Sequence, residues 1–91
     1  MEFKLSKPLT FEEKTYEVLT LDLESLTGAD MEQVEREFAA LGQFSGMVET
    51  SKIFLAMLAA RAAGVRVDLV KKLPLKDYSK LTMQGQTFLF G

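Results

Sequence analysis

Two stretches near the start of the chain alternate apolar and polar residues with the period of a β-strand. In the first stretch, Phe3, Leu5 and Leu9 share a face. In the second, Tyr16 and Val18 lie on one face and Leu19 and Leu21 on the other. Successive side chains of a strand point to opposite faces, so each stretch predicts a strand with one buried side. The polar residues 10–15 between them have the length of a hairpin turn. We therefore predict a β-hairpin over residues 1–21.

The rest of the chain has the periodicity of helices, with residues typical of helix ends between the periodic stretches. We predict helices over residues 28–41, 49–63, 66–73 and 75–89. Thr27 is a good N-cap for the first helix, and Asp30 lies in its first turn. The second helix is rich in alanine, and we expect it to be central because small side chains let neighbouring elements approach closely. Pro74 separates the last two helices. The predicted class is α+β, mainly helical, with an N-terminal β-hairpin packed on a bundle of three to four helices.

The length and composition narrow the possible functions. A chain of 91 residues forms one domain, over residues 1–91, and buries only about 60% of its unfolded surface. The chain has no cysteine and no histidine, which excludes disulfides, Cys/His zinc sites and Ser-His or Cys-His catalytic pairs. Its carboxylates lack both the apolar cover of a catalytic pair and the spacing of a metal loop, and its glycines form no phosphate-binding motif. We expect no enzyme activity, cofactor or metal site.

Charge divides the chain into an acidic half and a basic half. Residues 1–46 carry ten acidic and four basic side chains, whereas residues 47–91 carry three acidic and seven basic ones. This separation has two interpretations: two solvated faces, or complementary ends that dock copies or partners. Lys71, Lys72, Lys76 and Lys80 raise the alternative of a nucleic-acid binder, but Pro74 interrupts their row and the chain as a whole is acidic. The apolar run 53–63 is too short to span a membrane, which needs about 20 residues.

The chain ends with the apolar sequence Thr87-Phe88-Leu89-Phe90-Gly91. Chain ends are usually polar, so we expect these apolar side chains to be buried against another surface. They either dock on the core or bind another chain. The two alternatives can hold together, with Phe88 pointing inward and Phe90 outward.

Several short motifs follow one another in a characteristic order. They are Lys7-Pro8-Leu9-Thr10-Phe11 before Lys14-x-Tyr16, Leu26-Thr27-Gly28-Ala29-Asp30, Ser51-Lys52 before the apolar run that ends Ala59-Ala60-Arg61-Ala62-Ala63-Gly64, Leu73-Pro74, Asp77-Tyr78 and Phe88-Leu89-Phe90-Gly91. In this order, which covers almost the whole chain, the sequence resembles the tail assembly chaperone family of tailed bacteriophages and prophages. One departure is Glu13, where we expect a glycine in the hairpin turn.

The resemblance implies a protein that is not an enzyme and acts in the cytoplasm of the bacterial host. Such chaperones bind the long, helical tape-measure protein, keep it soluble until the tail tube polymerises around it, and are absent from the finished particle. The resemblance also implies possible partners in a frameshift-extended form of the chain and in further copies of it. The alternative is a small self-associating interaction or regulatory domain.

Side chains near the end of the last helix are the predicted contact surface for a partner. Phe88, Leu89 and Phe90 form its main part, and Phe44 and Met47 complete it. The flexible side chains of Met31, Met47, Met57 and Met83 would also suit varied client helices, although methionines often fill cores. The predicted binding mode is a helix in a groove.

Overall fold

The structure, a computed structural model, describes residues 1–42 and 51–91. It contains the strands β1 (Glu2–Phe11) and β2 (Lys14–Thr20), a short 3₁₀ turn (Leu23–Ser25), and the helices α1 (Gly28–Ala40), α2 (Lys52–Ala63), α3 (Val67–Lys71) and α4 (Leu75–Phe90). A β-hairpin followed by packed helices confirms the predicted class, α+β and mainly helical.

The ends of the helices follow local capping rules. Thr27 is the N-cap of α1, as predicted. α2 begins at Lys52, because Ser51 has an extended backbone and its Oγ accepts a 3.4 Å hydrogen bond from the Phe54 N–H. The predicted start at residue 49 lies outside the described residues. Gly64 ends α2 in the left-handed conformation with a φ of 69°.

The hairpin contains an irregularity that changes which residues of β2 face the core. Phe3 pairs with Leu19 near the open end, but Leu9 pairs with Tyr16 nearer the turn. Four residues of β1, 5–8, therefore stand opposite the single residue Glu17. This odd shift moves the core-facing set of β2 from odd to even positions, so Tyr16 packs on the core together with Leu9. Pro8, which cannot donate a ladder hydrogen bond, lies within the irregular part.

The hairpin turn is two residues long and uses glutamates where a turn of this kind favours Asn and Gly. Glu12 and Glu13 both have positive φ values, 51° and 66°. This is the left-handed backbone of a type I′ turn, which is costly for residues with a side chain. Glu12 also accepts a 2.6 Å hydrogen bond from Arg66, which ties the turn to the segment before α3.

α2 is the centre of the fold, as its alanine content predicted. Its alanines 56, 59 and 60 meet the hairpin and α3, while Phe54, Met57 and Leu58 meet α1. Phe54 packs edge-to-face on Phe38 of α1 with ring centroids 6.0 Å apart. α4 covers another side of α2, where Gly85 is buried and a Cβ at this position would make an ordinary van der Waals contact with Leu55 Cδ2 at 3.5 Å.

A buried carboxyl group joins α4 to the irregular part of β1. Asp77, in the first turn of α4, is only 3% exposed. Its Oδ2 accepts hydrogen bonds from the Ser6 N–H at 3.0 Å and from the Ser6 Oγ at 2.9 Å. The irregularity in β1 thus has a polar partner across the fold, and the start of α4 is held against the hairpin.

Relief of the strained turn should stabilise the protein. Glu13→Gly should raise the free energy of unfolding by about 0.5–1 kcal/mol, because glycine removes the cost of positive φ but gains freedom in the unfolded chain. Glu17→Gly, a control in the extended part of β2, should instead lower it by about 0.5–1 kcal/mol. Urea denaturation measures both, and equal effects of the two variants would contradict the turn geometry.

Loss of the Asp77 carboxyl group should weaken the attachment of α4. We expect Asp77→Ala to lower the free energy of unfolding by about 2 kcal/mol and Ser6→Ala by about 1 kcal/mol. The loss is larger for Asp77→Ala because it leaves the partly buried Ser6 N–H without an acceptor. In the Asp77→Ala background, Ser6→Ala should have almost no further effect. Additive losses in a denaturation double-mutant cycle would show that the two side chains act independently.

Candidate partner-binding site

The exposed apolar side chains concentrate on α4. Of the seven large apolar residues that are exposed in the described part of the chain, four lie on this helix: Leu75 (84%), Met83 (60%), Phe88 (46%) and Phe90 (55%). Single exposed apolar residues are ordinary, but several on one helix mark a surface that suits a partner. α4 is therefore where the candidate site is centred.

The last turn of α4 directs its three apolar side chains differently. Leu89 is half-buried and packs on the α1–α2 side of the core. It continues the buried row of Leu81 and Gly85 at intervals of four residues. Phe90 is exposed, as predicted. The arrangement with Phe88 inward does not occur: Leu89 takes that role, and Phe88 is exposed and borders an open cleft.

Two neighbouring depressions share the Phe88 side chain as a common wall, and we call them together the Phe88 cleft. One, of about 200 Å³, is lined mainly by apolar side chains: Leu23, Leu26, Met31, Leu58, Phe88 and Leu89. The other, of about 210 Å³, also touches Leu23 and is lined further by Met1, Leu21, Asp22 and Glu24. The cleft thus has one wall from α4, one from the β2–α1 connection and the first turns of α1, and a base from α2.

A capping and ion-pair arrangement holds the α1 wall of the cleft in place. Asp30 Oδ2 accepts hydrogen bonds from the Thr27 N–H at 2.8 Å and from Thr27 Oγ1 at 3.2 Å. Its Oδ1 accepts from Arg61 of α2 at 2.9 Å (Nε) and 2.8 Å (Nη2). The Thr27 backbone hydrogen bond, followed by the Arg61 hydrogen bond, lowers the pKa of Asp30 below its ordinary value of 3.8. Asp30 therefore joins the start of α1 to α2.

Two carboxylates and one ammonium group carry the charge around the cleft. The ammonium is the N-terminal group of Met1, which donates a 2.7 Å hydrogen bond to the Leu21 carbonyl oxygen. Asp22 and Glu24 line it, and no lysine or arginine does. Neither carboxylate has an ion-pair partner among residues 1–42 and 51–91. The second half of α4, from Leu81 to Gly91, contains no charged side chain. The site is an apolar cleft with an acidic rim.

A comparison with known protein families identifies the chain. A family described as "Phage tail assembly chaperone proteins, E, or 41 or 14" matches residues 2–89. The chain belongs to this family. Membership supports a chaperone role in tail assembly and is in keeping with a function that is not enzymatic. No curated protein and no solved structure matches this tail assembly chaperone.

Not all of the residues predicted for the site come together. Phe88 and Leu89 line the Phe88 cleft, whereas exposed Phe90 is absent from its lining. Phe44 and Met47 lie outside the described residues. Their proposed role in the contact surface therefore stays a prediction.

The methionines are divided between the core and the surface. Met57 is buried in the core, whereas Met83 is exposed and Met31 lines the cleft.

The wall residue Leu26 was not predicted as part of the site. In the sequence it appeared only as an apolar residue of the connection between the hairpin and the first helix. Its one available signal was its position immediately before the Thr27 cap, from which a side chain can reach the start of the helix.

The lysine cluster is split between elements of this chaperone. Lys71 ends α3, Lys72 follows it, and Lys76 and Lys80 lie on α4, which begins after Pro74. The break at Pro74 agrees with the prediction that these side chains form no continuous helical row. Lys71 borders a depression beside the exposed Leu75.

The described residues provide neither a cluster of metal ligands nor a helix that could span a membrane. Among residues 1–42 and 51–91, no group of three or more His, Cys, Asp or Glu side chains is placed to hold a metal ion. Within the same ranges, no helix combines the length and the apolar character needed to cross a membrane.

The hydrogen bonds of Asp30 should give the chaperone an acid-sensitive component of stability. Because folding lowers the pKa of Asp30, the carboxylate contributes fully to the free energy of unfolding above pH 3.8. This contribution is lost as the pH falls through the lower pKa of the folded state. Asp30→Asn should therefore lower the melting temperature at neutral pH, and the difference from the unmodified protein should disappear in strong acid.

Arg61→Gln is the comparison variant for this measurement. It should produce a smaller pH-dependent difference, because the Thr27 backbone hydrogen bond, the larger cause of the lowered pKa, remains. Thermal melts followed by circular dichroism, from neutral pH to strong acid, measure these differences in melting temperature. A constant difference between Asp30→Asn and the unmodified protein at every pH would refute the role of the carboxylate.

Proposed function

We propose that this chaperone binds the tape-measure protein of its phage or prophage and keeps it soluble in the host cytoplasm until the tail tube polymerises around it. The observation that carries the proposal is the second half of α4, which lacks charge and presents Phe88 beside an apolar cleft. Family membership supports the assembly role, and the surface suits a client that is long, helical and apolar.

The exposed aromatic side chains supply a physical reason for transient binding. Phe88 and Phe90 are about half-exposed in the free protein. Complete burial of a phenylalanine side chain is worth about 1.5–3 kcal/mol relative to full exposure, so each ring would gain part of this on docking. A few such contacts give affinity without a permanent interface, which suits a protein that must leave the client when the tube forms.

Self-association is a second candidate property, favoured by the distribution of charge. Residues 1–46 are net acidic and residues 47–91 net basic, and the start of α4 presents Leu75 next to Lys71 and Lys76. Complementary ends of this kind can join copies head to tail. Copies of the chain, and a frameshift-extended form of it, are therefore further partners in the proposal. Nucleic acid is not among them, because Pro74 interrupts the lysine row.

The tape-measure proposal can be tested by co-expression. We expect the soluble fraction of the tape-measure protein to rise when the chaperone is present, and to fall back when it carries Phe88→Asp together with Phe90→Asp, because charge opposes apolar docking. Val18→Asp, at an exposed apolar residue of the hairpin, should leave the soluble fraction unchanged. Solubility is measured by centrifugation of lysates and immunoblotting.

The folding of each variant is verified by circular dichroism of the purified protein. If the folded double variant solubilises the tape-measure protein as well as the unmodified chain does, the assignment to the end of α4 is wrong. If the unmodified chain has no effect on a tape-measure protein that is insoluble alone, the proposed function is wrong.

A further inference from the structure

We infer that the Phe88 cleft binds a helical segment of the client that presents apolar side chains on one face and lysine or arginine beside them. The inference deepens the proposed function, on which it rests, by naming the chemistry of the segment that is recognised. The observation behind it is that the cleft combines an apolar interior with a rim on which two carboxylates, Asp22 and Glu24, outnumber the single N-terminal ammonium group of Met1.

The shape of the cleft suits side chains from one face of a helix. Its two depressions have similar volumes, about 200 and 210 Å³, and both border Phe88 and Leu23. Side chains three or four residues apart lie next to each other on a helix surface. Two of them can therefore occupy the two depressions with the Phe88 ring between them, which is the helix-in-groove mode of recognition.

The rim decides which helices bind best. Asp22 and Glu24 are exposed and have no ion-pair partner among the described residues, so they are available to a bound partner. The segment Leu81–Gly91 adds no opposing positive charge. A helix flanked by Lys or Arg gains attraction from the rim, whereas one flanked by Glu meets like charge.

The walls of the cleft are held before any partner arrives. The Asp30–Arg61 ion pair fixes the start of α1 against α2, and Leu89 anchors the last turn of α4 to the core. A preformed cleft loses less conformational entropy on binding than a surface that must first be ordered. The client helix, not the chaperone, is therefore the partner that becomes ordered.

The test uses the full chain and two synthetic helical peptides that share one apolar face. One peptide carries lysines beside this face and the other carries glutamates, and each contains one tryptophan. Because the chaperone has no tryptophan, peptide fluorescence reports binding directly. We expect the lysine peptide to bind about tenfold more tightly at low salt, and this preference to shrink near 1 M salt, where the Debye length is about 3 Å.

Charge reversal supplies the matched comparison. Asp22→Lys plus Glu24→Lys should transfer the preference to the glutamate peptide. Glu13→Lys plus Glu17→Lys, which changes the net charge equally but lies on the hairpin, should leave the preference as it was. Phe88→Ala should weaken the binding of both peptides, because it removes the wall that the two depressions share.

The outcomes separate this inference from the proposed function. Equal affinity for both peptides, no binding of either, or a preference that ignores reversal of the rim overturns the inference. The tape-measure proposal would still stand if co-expression remains effective. Conversely, rim-dependent peptide binding with no effect on tape-measure solubility would overturn only the proposed function. If sedimentation shows a concentration-dependent oligomer that Asp22→Lys plus Glu24→Lys dissociates, the cleft belongs to a second copy and the inference fails.

Discussion

The burial of α2 on every side is the constraint on which the rest of the structure depends. A helix rich in alanine has a narrow cross-section, so the hairpin, α1, α3 and α4 can all approach it closely. A chain of this size cannot build a second core, and every other element must find its cover on this one helix. The order of the elements around α2 therefore decides which surfaces remain exposed.

The exposure of α4 follows from that arrangement. The middle of the helix lies against α2, where Leu81 and Gly85 are buried. Its last turn faces the β2–α1 connection, which leaves an open cleft beside Phe88. Burial and exposure arise in a single helix because only one face of α4 packs on the core: Leu81 and Gly85 lie on that face, whereas Met83 does not. For a chaperone, this combines a stable attachment with an available apolar surface.

Two polar contacts hold α4 and α1 at positions that hydrophobic packing alone would not specify. Asp77 fixes the start of α4 to Ser6 in the irregular part of the hairpin, and Asp30 fixes the start of α1 to Arg61 of α2. Hydrophobic contacts are not directional, whereas hydrogen bonds require defined geometry. These two carboxyl groups therefore set the orientation of the helices that form the walls of the Phe88 cleft.

The sequence by itself determined the features that depend on local chemistry. The Thr27 cap, the break at Pro74, the alternating strands and the alanines of α2 act over a few residues, and their patterns predicted the class and the central helix. The tertiary structure alone decided the shift that brings Tyr16 to the core, the exposure of Phe88 and the wall at Leu26 and Met31. These depend on contacts between residues far apart in the chain. Phe88 and Leu89 occupy the same helical turn, and the face of α4 that packs on the core decides which of them is covered.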